Sequence, residues 1–73
     1  MIKEKNMKIF KLYRIAPTQE KEWLHIRGIQ YLWEKGSYAG TSFPSLHKAL
    51  KCKEKYLINF GFPSFQIYIA EFF

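Results

Sequence analysis

The chain has 73 residues, a net charge of +6 at neutral pH, and fourteen aromatic residues, counted as two Trp, five Tyr and seven Phe. This length suits one domain, placed at residues 1–73, with residues 1–6 as a flexible polar start. The single cysteine, Cys52, excludes an internal disulfide. No apolar run approaches the roughly 18 residues of a membrane span, and the charged start lacks the apolar segment of a signal peptide. We therefore expect a cytoplasmic protein that does not enter a membrane.

The first predicted element is a strand at residues 7–15. Its odd-numbered apolar residues lie on one face, and Phe10 and Leu12 lie on the other. Apolar side chains on both faces are typical of a strand that is covered from two sides. Pro17 ends the strand because proline has no N–H to donate to a ladder.

Residues 19–33 predict a helix with Thr18 as its N-cap. The evidence is a set of apolar residues at helical spacing: Trp23, Ile26, Ile29 and Trp33. Gly28 in the middle weakens a helix, so a second interpretation stays open. In that interpretation the helix ends at Gly28, and residues 29–33 and 38–43 form two strands joined by a turn.

A further helix is predicted after Ser42 or Ser45, either of which is a suitable N-cap, and Gly61 has the place of a C-cap glycine. Its predicted core stripe is Leu46, Ala49, Leu50, Leu57 and Phe60, flanked by Tyr56. Residues 65–73 alternate in polarity and predict the last strand. Together the elements predict an α+β fold. A small antiparallel or mixed sheet includes the N- and C-terminal strands, and two helices pack on one of its faces.

Catalytic and metal sites are not indicated. The soft metal ligands are His25, His47 and Cys52, whose spacing matches no zinc motif, and the chain contains no aspartate. The glycines form no phosphate-binding pattern, and the serines and threonine near residue 42 are explained as turn and cap residues. We therefore predict a protein that is not an enzyme and that holds no cofactor and no metal.

One resemblance to a known family rests on short runs. Residues 12–15 read LYRI on the first strand, and residues 38–43 read YAGTSF before a helix that contains Ala49 and Leu50. These runs resemble the opening segment of ADP-ribosyltransferase-like folds. The resemblance implies that Arg14 and Ser42 help to bind NAD. The catalytic glutamate motif of the family has no counterpart here, since Glu71 lies at the very end of the chain.

A basic surface is the stronger functional signal. Lys48, Lys51 and Lys55 fall on the side of the helix opposite its apolar stripe, and Arg14 and Arg27 extend the positive charge. This lysine stripe (Lys48, Lys51 and Lys55) is suited to anionic partners, including nucleic acid.

The aromatic surplus points to a protein partner. So small a core cannot cover fourteen aromatic side chains, and we expect Trp23 and Tyr38 to contact a partner or a second copy. The leading hypothesis is a small binding protein with a protein partner, such as an inhibitor or accessory factor of the kind that phages and mobile elements encode. The alternatives are a nucleic-acid-binding module and a minimal ADP-ribosyltransferase-like enzyme.

Overall fold

The computed structural model describes residues 8–60 and 67–73. Four strands form one antiparallel sheet in the order β3-β2-β1-β4, and one α-helix packs on it. The elements in chain order are β1 (Ile9–Ile15), β2 (Lys21–Arg27), β3 (Gln30–Glu34), a 3₁₀ turn (Ser37–Ala39), α1 (Leu46–Phe60) and β4 (Tyr68–Phe72).

Strand β1 lies inside the sheet. It pairs with β4 from Ile9↔Phe72 to Tyr13↔Tyr68, so the first and last strands of the described chain are neighbours, as the sequence predicted. Its other edge pairs with β2 over three residues only, beginning at Tyr13↔Trp23. Two neighbours and two covered faces explain why β1 is apolar on both sides.

The segment 41–43 bridges β1 and β2 where the two strands no longer pair. Phe43 exchanges two backbone hydrogen bonds with Phe10, at 2.8 and 2.9 Å. Thr41 N–H donates to Leu24 O at 2.9 Å, and the Thr41 hydroxyl oxygen accepts from Ile26 N–H at 2.8 Å. The segment thereby satisfies backbone groups that the split in the sheet would otherwise leave unpaired.

The main core lies between the sheet and α1. Leu12, Leu24 and Ala49 are fully buried there, together with Phe10, Tyr56 and Ile67. Trp33 Nε1–H donates to the Tyr56 hydroxyl at 3.0 Å, and the two rings meet edge to face with centroids 5.6 Å apart. Trp33 is half-buried and Tyr56 is buried, so this bond ties α1 to β3 at the edge of the core.

A second aromatic cluster covers the other face of the sheet. The Tyr13 ring lies 5.0 Å from Trp23 and 5.4 Å from Tyr68, and the Trp23 ring lies 5.6 Å from Phe72. The 3₁₀ turn covers part of this face. Lys11 Nζ donates to the carbonyl oxygen of Ser37 at 2.7 Å. The lysine stem is thus buried while its charge is met by a carbonyl oxygen.

The predicted helix at residues 19–33 is wrong, and with it the fold class of two helices on a sheet. The residues form β2 and β3, joined by the two-residue turn Gly28–Ile29. Gly28 takes φ of 63°, at the position where a type II′ hairpin turn favours glycine. The apolar residues fit the twofold period of strands as well as the helical one, and pairing between strands decided the outcome. The open alternative placed one strand near β3, but residues 38–43 form the 3₁₀ turn and a single bridge.

The apolar stripe assigned to the second helix is partly wrong. Helix α1 begins where predicted, and Ser45 Oγ caps it by accepting from Lys48 N–H at 3.2 Å. Ala49 and Tyr56 are the buried residues, while Leu46 is 48% exposed and Leu50 is 47% exposed. Leu57 packs partly buried against the core, so the side of α1 that faces the sheet is centred on Ala49 and Tyr56 and not on Leu46 and Leu50. Gly61 and the start of the last predicted strand lie outside the described residues.

Candidate protein-binding surface

The solvent side of α1 carries the lysine stripe. Ser45 fixes the start of the helix, and the spacings of three and four residues place Lys48, Lys51 and Lys55 on one side of it. All three residues are exposed, as the sequence predicted. Four lysines against one glutamate, Glu54, leave α1 with a charge of +3, assuming a neutral histidine. Half of the net charge of +6 therefore lies on this one element.

Four of the five described glutamates lie outside α1 and partly neutralise the sheet and its loops. Three ion pairs occur among the described residues, and each joins a glutamate to a cation outside α1: Lys8 to Glu71 at 3.5 Å, Arg14 to Glu22 at 2.7 Å, and Lys35 to Glu20 at 3.2 Å. No described ion pair involves the lysine stripe. Among the described residues, α1 carries a charge of +3, and the sheet and loops, with six cations and four glutamates, carry +2. The density of positive charge in this part of the chain is therefore highest on α1.

Exposed apolar side chains also occur on α1 and in the β2–β3 turn. Leu46, Leu50 and Ile58 are 48%, 47% and 77% exposed on α1. In the β2–β3 turn, Ile29 is 95% exposed. Ile58 comes three residues after Lys55 and so lies beside the lysine stripe, whereas Leu46 and Leu50 lie on another side of α1. An exposed apolar side chain beside these cations forms a mixed surface, which differs from the purely polar outer side of an ordinary surface helix.

An open cavity of about 270 Å³ lies where the β2–β3 turn approaches the end of α1. Its lining residues are Gly28, Ile29, Tyr31, Lys55, Asn59 and Phe60. The rings of Tyr31 and Phe60 meet edge to face with centroids 5.4 Å apart. The cavity therefore combines an aromatic pair with an ammonium group and an amide. The sequence interpretation missed Tyr31 and Asn59, and the two-residue Gly-Ile loop between two apolar runs was the signal for the hairpin that brings them there.

Two residues that the sequence assigned to a partner are engaged within the fold. Arg14 Nε–H donates to Glu22 Oε1 at 2.9 Å, and its guanidinium group lies 4.7 Å from the centre of the Trp33 ring. Trp23 is 6% exposed within the second aromatic cluster. Both side chains stabilise the sheet in this arrangement.

The other two assigned residues are accessible. Arg27 is exposed at the end of β2. Tyr38 is 89% exposed in the 3₁₀ turn, where its ring lies over Gly36. His25 Nδ1–H donates to the carbonyl of Ala39 at 2.7 Å and so holds the same turn from the other side. These residues lie away from α1 along the chain and do not line the cavity.

The remaining residues considered for chemistry are the possible metal ligands, Cys52, Ser42 and Arg14. No group of three or more His, Cys, Asp or Glu side chains in the part of the chain that the structure describes is arranged to hold a metal ion. Cys52 is half-buried, and burial raises the pKa of its thiol, an effect that the nearby Lys55 charge partly opposes. Ser42 is exposed in the bridging segment, and Arg14 is held by Glu22.

Comparisons with family models, curated proteins and solved structures found no match for this chain. The resemblance to ADP-ribosyltransferase-like folds stays a prediction. Among the described residues, no helix is long and apolar enough to cross a membrane.

Proposed function

We propose that the protein is a small non-enzymatic binding module of the cytoplasm that docks an acidic protein partner through the outer side of α1. The observation that carries this proposal is the separation of charge. The described ion pairs neutralise cations of the sheet and loops, whereas the lysine stripe has no glutamate partner among the described residues. A stoichiometric inhibitor or accessory factor needs a surface of this kind and no catalytic group.

The apolar side chains beside the lysines favour a protein over a nucleic acid. Phosphate groups are neutralised by cations alone, and this chemistry gives no reason for Ile58 and Ile29 to be exposed at 77% and 95%. A protein interface buries such side chains at its centre and surrounds them with charged groups. The mixture on α1 therefore supports a protein partner.

Capture from the native host tests the proposal. The tagged chain is compared with a helix variant, Lys48→Gln, Lys51→Gln and Lys55→Gln, and with a control variant, Lys8→Gln, Lys21→Gln and Lys35→Gln. Both variants lose the same charge, but the control leaves α1 intact. We expect a partner that resists nuclease, is retained by the control variant and is lost by the helix variant. Equal retention by the two variants would contradict the proposal.

Nucleic acid is the second candidate, because the lysine stripe itself is compatible with phosphate contacts. In that case the logarithm of the affinity for plain DNA or RNA falls with the logarithm of salt concentration by about 0.7 to 0.9 per phosphate neutralised. The helix variant would then flatten this slope by about two to three units for all sequences alike. Binding of this type at near-physiological salt, lost in the helix variant, would replace the protein partner as the conclusion.

A further inference from the structure

The cavity at the β2–β3 turn has a volume that suits one large side chain of a partner. Its volume of about 270 Å³ is larger than the roughly 150 Å³ that holds a benzene ring in an apolar protein cavity. It falls just below the range of about 300–1,000 Å³ that is typical of small-molecule pockets. One large aliphatic or aromatic side chain suits this space better than a cofactor.

Ile29 at the cavity has no evident role in folding. A type II′ turn requires glycine at its first loop position, which Gly28 supplies, and makes no demand for an apolar residue at the second. Ile29 is 95% exposed, so its packing contributes almost nothing to the core. An apolar side chain that the fold leaves in water, next to a cavity with an aromatic pair, is suited to contact a partner.

The charge around the cavity identifies the chemistry of that partner. Lys55 lines the cavity, and Lys51 and Lys48 follow on the same side of α1 in the preceding turns. None of the three takes part in an ion pair within residues 8–60 and 67–73. The cavity with its aromatic pair thus lies at one end of a line of cations, an arrangement complementary to carboxylates that flank an apolar side chain.

We propose that this groove, made of the cavity and the lysine stripe, docks an acidic segment of the partner and inserts one of its large apolar side chains between Ile29 and Phe60. The inference rests on the proposed function and adds to it the recognised chemistry: a run rich in aspartate or glutamate with one aromatic or large aliphatic residue. Buried apolar anchors of this kind dominate interface energies, whereas charges at the rim govern the association rate.

The test is a titration of the isotope-labelled full chain, in which NMR signals of the backbone amides report binding. The probes are a short glutamate-rich peptide with one central phenylalanine, the same peptide with serine in that place, and an oligothymidylate of matching charge. We expect the phenylalanine peptide to shift the signals of Ile29, Tyr31, Lys55 and Asn59. It should bind at least about tenfold more tightly than the serine peptide, as expected when an apolar side chain is removed from water against other apolar groups.

Two matched variants locate the contact. Ile29→Ser should weaken the phenylalanine peptide by roughly tenfold and leave the serine peptide unchanged, with an unaltered melting temperature because residue 29 is exposed. Lys55→Gln should weaken both peptides. Lys53→Gln, which removes the same charge two residues away at a position that does not line this cavity, should have the smaller effect.

Equal affinities of the two peptides would contradict the docking site. Amide signal shifts confined to Leu50 and Ile58 would contradict it as well. Tighter binding of the oligothymidylate at the same residues overturns it in favour of nucleic acid. The proposed function is judged separately, by the captured partner. If the helix variant loses that partner while the peptides bind alike, the docking site fails and the proposed function stands.

Discussion

Leucine side chains in this protein have one chemistry and two environments. Leu24 in β2 is fully buried in the core, whereas Leu50 in α1 is 47% exposed. We expect Leu24→Ala to lower the free energy of unfolding by about 2–5 kcal/mol and Leu50→Ala to lower it by less than about 1 kcal/mol. Denaturant melts of the two variants measure the difference. Equal losses would place Leu50 in the core and contradict the rotation of α1.

The thiol of Cys52 gives a prediction about pH. Burial raises its pKa above the ordinary value, with partial opposition from Lys55. The thiolate that reacts with alkylating reagents should form at higher pH in the folded chain than in the chain unfolded by denaturant, which is the matched control. A folded midpoint at or below the unfolded one would contradict the burial of this side chain.

The same shift links Cys52 to stability. A pKa raised on folding means that the unfolded chain loses its thiol proton first as the pH rises. The resulting contribution to stability is therefore fully present below the unfolded pKa and is lost as the pH passes the folded pKa. Replacing Cys52 with Ala should remove this part of the pH dependence.

At the scale of elements, the β1–β2 loop holds an unusual backbone conformation. Among the described residues other than glycine, Gln19 in this loop is the one with a positive φ, of 74°. The loop is closed by Gln19 N–H to Ala16 O and by Ala16 N–H to Glu20 O, both at 2.8 Å. A side chain in this conformation costs about 1–2 kcal/mol, and glycine adds an entropic cost of about 0.5–1 kcal/mol. Gln19→Gly should therefore raise the free energy of unfolding by about 0.5–1 kcal/mol. Thr18→Gly is the control and should lower it, so a loss in both variants would contradict the loop conformation.

Local signals predicted some elements and failed for others for physical reasons. Strand β1 and the start of α1 were predicted because alternation and the Ser45 cap are properties of the local sequence. Residues 21–34 carry apolar side chains that satisfy both periods, and their state was decided by pairing of β2 with β3 across the Gly28–Ile29 turn and of residues 21–23 with β1. The turn was a local signal, whereas the pairing with β1 lies outside any local window. The lysine stripe was predicted to be exposed because the charges themselves require water. The cavity was not predictable, since the hairpin and α1 that line it are distant in the sequence.

At the scale of the whole molecule, net charge and its location have different consequences. The helix variant and the control variant reach the same net charge of +3, because each loses three lysines from a chain with +6. Solubility and nonspecific attraction should change alike in both. Steered association with one partner depends instead on where the cations lie, and here they are concentrated on α1.

The association rate constant of the captured partner at increasing salt concentration tests the central claim most directly. Electrostatic steering raises association rates at low salt and is screened as salt is added. We predict a steep salt dependence for the natural chain and the control variant, and a flat, slower profile for the helix variant. Indistinguishable profiles for the two variants would show that the partner responds to net charge alone, and would contradict the assignment of its binding surface to α1.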